Sequence, residues 1–188
     1  MNSLLQGVCS IESIRWMGLV LGCLLATGTA SADVSSGPKE NEKAAPLKVF
    51  AVSGEPKDKE VDYVMLRQDQ PTVYVFVSGK DFDRPMFRYL KKLEEDLGAD
   101  GLMVAIWLTD DAEQAKEYLG KITSYFNTAA LTVFGKAAGP DAWAINSEAR
   151  LTAVVVHKGR VVKSFAYQSL NETDAPEVAQ TLKKTIKK

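Results

Sequence analysis

Beyond its first 25 residues the chain has no cysteine. Its two cysteines, Cys9 and Cys23, both fall in an N-terminal leader, so residues 33–188 carry no thiol. Disulfides, thiol catalysis and cysteine metal sites are thereby excluded from that part, and a domain in an oxidising compartment would rely on its core alone. Histidine is nearly missing as well. His157 is the only one, and it adjoins Lys158-Gly159, a turn signal, with no neighbouring titratable cluster; it reads as a solvent-facing turn residue rather than a base. An excess of charge of one sign is also lacking: 23 Lys and Arg against 24 Asp and Glu give a net charge of −1. A broad basic surface for nucleic acid is therefore not expected. The basic end, Lys183-Lys184-Thr185-Ile186-Lys187-Lys188, suits the C-terminal dipole of a helix. No apolar run reaches the ~20 residues of a membrane-spanning helix, and no internal repeat is present.

The leader carries its own signal. After Arg15, Trp16 to Ala26 is uncharged, small residues follow, and Ala30-Ser31-Ala32 has the small-x-small form of a signal-peptidase site. Residues 1–32 are expected to be a signal peptide cleaved after Ala32, which makes the protein exported, periplasmic or extracellular, with no membrane span in the mature form. A second reading lies in the same stretch. Val20-Leu21-Gly22-Cys23 resembles a lipobox, in which Cys23 would be lipidated and tethered to a membrane, although Leu24-Leu25 continue the apolar run past it.

What remains is the length of one ordinary domain. Residues 33–46 are polar, with Gly37, Pro38 and Pro46 and no periodicity, and are expected to form a flexible linker to a domain at 47–188. Leu47–Val52 reads as a short strand. Pro71–Val77 and Leu102–Leu108 are near-continuous apolar runs of the kind found in strands covered on both faces. Between them Asp83 and Pro85 open a helix with Met86, Leu90, Leu93 and Leu97 on one side and Gly98 at its end. A second helix follows Thr109-Asp110-Asp111, with Ala115, Leu119 and Ile122 inward. Strands joined by a helix in this way form a parallel, right-handed pair. Leu131–Phe134 is a short strand and 135–150 an irregular connection. Leu151–Val156 and Arg160–Ala166 flank His157-Lys158-Gly159 as an antiparallel hairpin. Asp174-Ala175-Pro176-Glu177 is read as a capping box before a last helix.

This order resembles the thioredoxin-like superfamily, nearest to its peroxiredoxin and TlpA-like branch, over about residues 47–188. Three pieces carry the likeness: the Pro71–Ser78 strand leading into a proline-bearing helix; Leu102–Asp111 leading into a helix; and Trp143-Ala144-Ile145-Asn146 followed by the 151–162 hairpin. The resemblance implies a three-layer α/β/α domain with a mixed central sheet. It also locates what is missing. The family's redox cysteines would lie within Gly79–Met86, where this chain has none, and its cis-proline would lie at Glu148-Ala149-Arg150. Neither half of the redox site transfers, so dithiol or peroxidatic activity is not expected, and no cofactor is implied.

Ligands of parallel α/β sheets tend to bind beyond the carboxyl ends of the strands. Here those ends carry Lys80, Asp81, Asp83 and Arg84, then Asp110 and Asp111. These six are the candidate ligand-binding residues. As a group the carboxylates could serve a hard cation or acid–base chemistry; singly, Asp83 and Asp110 or Asp111 are natural helix caps. Ser78-Gly79-Lys80 lacks the spacing of a phosphate loop. Trp107 and Trp143 read as core. The expectation is a non-catalytic binding or scaffold module for a protein or peptide partner in the cell envelope, with the loop at 79–85 and the connection at 135–150 as its contact surface. The alternatives are a carboxylate-based, metal-assisted or acid–base enzyme, and a membrane tether through Cys23.

Overall fold

The structure is a computed structural model that describes residues 34–187. The leader, with the expected cleavage after Ala32 and the alternative lipid site Cys23, lies outside the described residues. Seven strands form one sheet: β1 (Lys48–Ala51), β2 (Lys59–Asp62), β3 (Thr72–Ser78), β4 (Leu102–Leu108), β5 (Ala130–Phe134), β6 (Leu151–His157) and β7 (Arg160–Tyr167). Their order is β2-β1-β5-β4-β3-β6-β7. The helices are α1 (Tyr63–Arg67), α2 (Arg84–Leu97), α3 (Ala112–Ile122) and α4 (Ala175–Ile186). None of the described helices is long and apolar enough to cross a membrane.

β3, β4 and β5 are parallel, and β6, β7, β1 and β2 pair antiparallel to their neighbours. The sheet is therefore mixed, as expected. The two crossovers, β3-α2-β4 and β4-α3-β5, step across the sheet in one direction. Right-handed connections then put both helices on the same face. There α2, α3 and α4 bury Met86, Leu90, Leu93, Leu97, Leu119 and Leu182 against Val73, Val75, Val77, Met103 and Ala105. Successive strand residues point to opposite faces. Tyr74, Phe76, Val104 and Ile106 accordingly make a second core with Tyr63, Leu47 and Trp143. The third layer is thin: α1, the segment before β1 and a short turn at Asp141–Trp143.

The segment expected to be a flexible linker is part of the domain. Val161 N–H donates to Glu42 O, Asn41 N–H donates to Val161 O, and Lys43 bridges Arg160, so the chain forms a partial eighth strand on the outer edge of β7. Ser36 is buried and shares a 2.7 Å hydrogen bond with Thr152, and Ala44 is buried in the second core. The reason is the unpaired edge. β7 ends the sheet, and its free N–H and C=O groups draw in whatever chain lies beside them. Gly37 permits the close pass, since it has φ +95° and a Cβ there would fall 2.8 Å from Ser164 Cβ.

Three smaller readings also change. The stretch around Val61–Leu66 divides between β2 and α1, because Asp62 caps α1 through Val64 N–H and Met65 N–H. The capping box lies one turn earlier than read: Asn171 and Asp174 form it over the turn Glu172–Asp174, and α4 follows with Pro176 in its first turn. His157 is half-buried at the end of β6, with Nδ1 shielded and unpaired among the described residues, rather than solvent-facing. The positive φ angles of the turn fall on Lys158 and Gly159.

Candidate functional site

β3, β4 and β5 all end on one side of the molecule, so the loops after them and the 135–150 connection share a rim. Its centre is an ion pair between the candidate Asp83 and Arg150, which was not among the candidates. Arg150, the last residue before β6, reaches across to the start of α2. Its Nη2 lies 2.6 Å from Asp83 Oδ2, 2.6 Å from the Asp81 carbonyl oxygen and 4.0 Å from Met86 Sδ. Asp83 meanwhile accepts from Met86 N–H at 3.0 Å through its other oxygen and so caps α2. Both carboxylate oxygens are engaged. The Arg150 hydrogen bond, followed by that of the Met86 amide, holds the Asp83 carboxyl below its ordinary range.

The remaining candidates separate. Asp81 accepts from Ser78 Oγ at 2.7 Å. Asp111 caps α3 through Gln114 N–H. Asp110 accepts from Ala137 N–H at 2.9 Å and so ties the β4–α3 loop to the 135–150 connection. Lys80, Asp110 and Asp111 line one cavity of about 630 Å³ together with Lys136, Leu108 and Ile145. Asp81 and Asp83 do not line it, and Arg84 is exposed at the start of α2. Among the described residues no three His, Cys, Asp or Glu side chains gather as a metal site would require. The four carboxylates thus divide, with Asp110 and Asp111 lining this cavity and Asp81 and Asp83 outside it. Each acid except Asp110 satisfies a group in its own loop or helix start, the use that short acidic side chains commonly serve there. The reading of Asp83 and Asp111 as helix caps describes both residues.

Two residues were missed. Arg150 stood at the expected cis-proline position, but nothing in sequence spacing joins it to a residue 67 positions earlier. Glu94, on the inward side of α2, accepts through Oε1 from Asn127 N–H, Thr128 N–H and Ala129 N–H at 2.7–2.9 Å, while Oε2 meets Lys91 Nζ at 3.1 Å. Burial opposes its charge, but the amides and Lys91 outweigh burial and keep its carboxyl below the usual glutamate range. A lone acid on an apolar helix stripe was the available signal.

No protein-family profile matches the chain, and no curated protein matches it in sequence. Solved structures do. A protein disulfide isomerase-like protein from Bacteroides thetaiotaomicron is 18% identical with a TM-score of 0.61, over 82% of this chain and 96% of that one. A DsbE-type thiol:disulfide interchange protein from Chlorobium tepidum is 12% identical at TM-score 0.59, over 79% and 98%. An exposed lipoprotein thioredoxin from Streptococcus pneumoniae is 16% identical at TM-score 0.53, over 74% and 99%. At these identities the likeness is one of fold, and the fold is thioredoxin-like, as anticipated from the strand order.

Proposed function

We propose that residues 33–188 form an exported, non-catalytic thioredoxin-like module that binds a protein or peptide in the cell envelope. The observation that carries this reading is the Asp83–Arg150 pair. The helix start and the pre-β6 position, where the resemblance implies the redox cysteines and the cis-proline, are here bound to each other by a 2.6 Å charged contact. The chain supplies no thiol anywhere in residues 33–188. A fold retained without its chemistry still offers a rim of loops on a rigid sheet, and such rims serve recognition. The apolar and charged lining of the 79–85 and 135–150 loops suits a protein surface.

The test has two arms. Disulfide reduction and peroxide consumption by the mature protein are expected to stay at the buffer rate; turnover above it ends the non-catalytic reading. Photo-crosslinking residues at Lys80 and Ser147 are expected to yield a discrete adduct in envelope extract, and one at Lys57, on the far edge, none. Equal labelling at all three ends the assignment of the rim. Intact mass of the mature form checks export: a start at Asp33 supports simple secretion, and a lipid on Cys23 supports the tether.

A further inference from the structure

A second groove lies on the other side of the 79–83 loop, against α3. Gly79, Phe82, Trp107, Thr109, Gln114 and Tyr118 line it, with Asp111, Glu117 and Lys121 at its edges, and its volume is about 530 Å³. Its wall is aromatic. The Phe82 ring packs 4.7 Å from Trp107 and 6.0 Å from Tyr118, centroid to centroid. Trp107 is 2% exposed, yet no hydrogen bond among the described residues uses its indole N–H. Tyr118, on the outer side, is 41% exposed for so large a ring. Gly79 keeps the passage clear, since a Cβ there would sit 3.4 Å from both Thr109 Cβ and Trp107 Cδ1, which line it.

We infer that this groove seats a proline-rich extended peptide with flanking basic residues, an inference that rests on the binding-module reading. Three features select that occupant. Proline rings pack on aromatic faces, and polyproline II segments dock in aromatic-lined grooves. Such segments have no internal hydrogen bonds and present carbonyl oxygens with few N–H groups. The groove offers matching donors: the Trp107 indole N–H, the Tyr118 hydroxyl and the Gln114 amide. Of the charges at its edges, Glu117 and Lys121 pair with each other at 2.6 Å, which leaves the Asp111 carboxylate as one surplus negative charge. The surplus negative charge suits a lysine or arginine beside the prolines.

The test is amide and indole NMR of the mature protein. The probes are a peptide of four prolines flanked by lysines and a serine–alanine control of equal charge. The mature form has two indole signals, and Trp143, fully buried in the core on the opposite face of the sheet, serves as the internal reference; Trp107→Phe assigns them. The proline peptide is expected to move the Trp107 signal and leave that of Trp143 in place, with no response to the control. Tyr118→Ala is expected to weaken binding about tenfold with the melting temperature unchanged. Shifts confined to residues 135–150, with normal binding by Tyr118→Ala, would remove this groove while leaving the module reading intact. A Trp107 signal that moves with protein concentration alone would make the groove a self-association surface and overturn the inference. Silence toward millimolar proline peptide would overturn it too; together with no adduct at Lys80 and Ser147, the module reading would fall with it.

Discussion

Arg150 and Glu94 do comparable work with different exposure. Arg150 joins the 79–83 loop to the start of β6, but both partners of its ion pair keep about a third of their side-chain surface in solvent. Exposed pairs contribute little, so Arg150→Ala is expected to lower stability by only about 1 kcal/mol. Its clearer signature is in Asp83. The folded carboxyl lies below its ordinary value of ~3.9 because Arg150 favours the charged form. Stability from this carboxylate is therefore complete above that ordinary value and is lost as pH falls through the lowered one. Carboxyl NMR titration of Arg150→Ala should find Asp83 raised toward the ordinary value; an unchanged titration would mean that the pair does not persist in solution. Glu94 is 5% exposed, and its loss takes the acceptor from three amides. Glu94→Ala is expected to cost about 1–3 kcal/mol in urea unfolding at neutral pH, since the Ala129 amide is left buried and unsatisfied while water can reach those of Asn127 and Thr128. Its carboxyl is likewise lowered, so the difference between wild type and variant should shrink as the solution is acidified below the usual glutamate range.

At the scale of elements, periodicity and capping chemistry made most of the sheet and helices readable before any coordinates. β3 and β4 declared themselves by uninterrupted apolar runs, α2 by Asp83, Pro85 and Gly98, and the β6–β7 hairpin by Lys158-Gly159. These signals are local, and each is written within a few residues of the feature it sets. Residues 34–46 were not readable in this way. Their polar composition is that of a linker, and their structure comes from a remote demand, the open edge of β7. Arg150 escaped for the same reason, because its partner lies on another loop. The edge strand gives a direct expectation. Ser36→Ala removes the partner of Thr152, which is 1% exposed, and the acceptor for Asn146 N–H at 2.9 Å; a loss of about 1–3 kcal/mol should follow. Starting the chain at Leu47 should do more. It uncovers β7, and exposed edges recruit other chains, so light scattering should report association that the protein starting at Asp33 does not show. A monomeric, equally stable short form would mean that the segment only rests on the sheet.

For the whole molecule, the question is whether residues 33–188, which carry no cysteine, hold an electrostatic site that would favour a thiolate. The frame argues that they do. Position 83 is at the N-terminus of a 14-residue helix, where unpaired amides favour an anion, and Arg150 places a guanidinium 2.6 Å from the side chain already there. Both influences stabilise a thiolate as readily as a carboxylate. Asp83→Cys should therefore titrate well below the ~8.5 of an ordinary thiol, as followed by thiolate absorbance, and adding Arg150→Ala should move it back part of the way, leaving the helix contribution. The single variant should still fail to turn over disulfides, because no second cysteine stands within residues 33–188 to resolve a mixed disulfide. A thiol of ordinary acidity at position 83 would mean that helix end and guanidinium do not converge there.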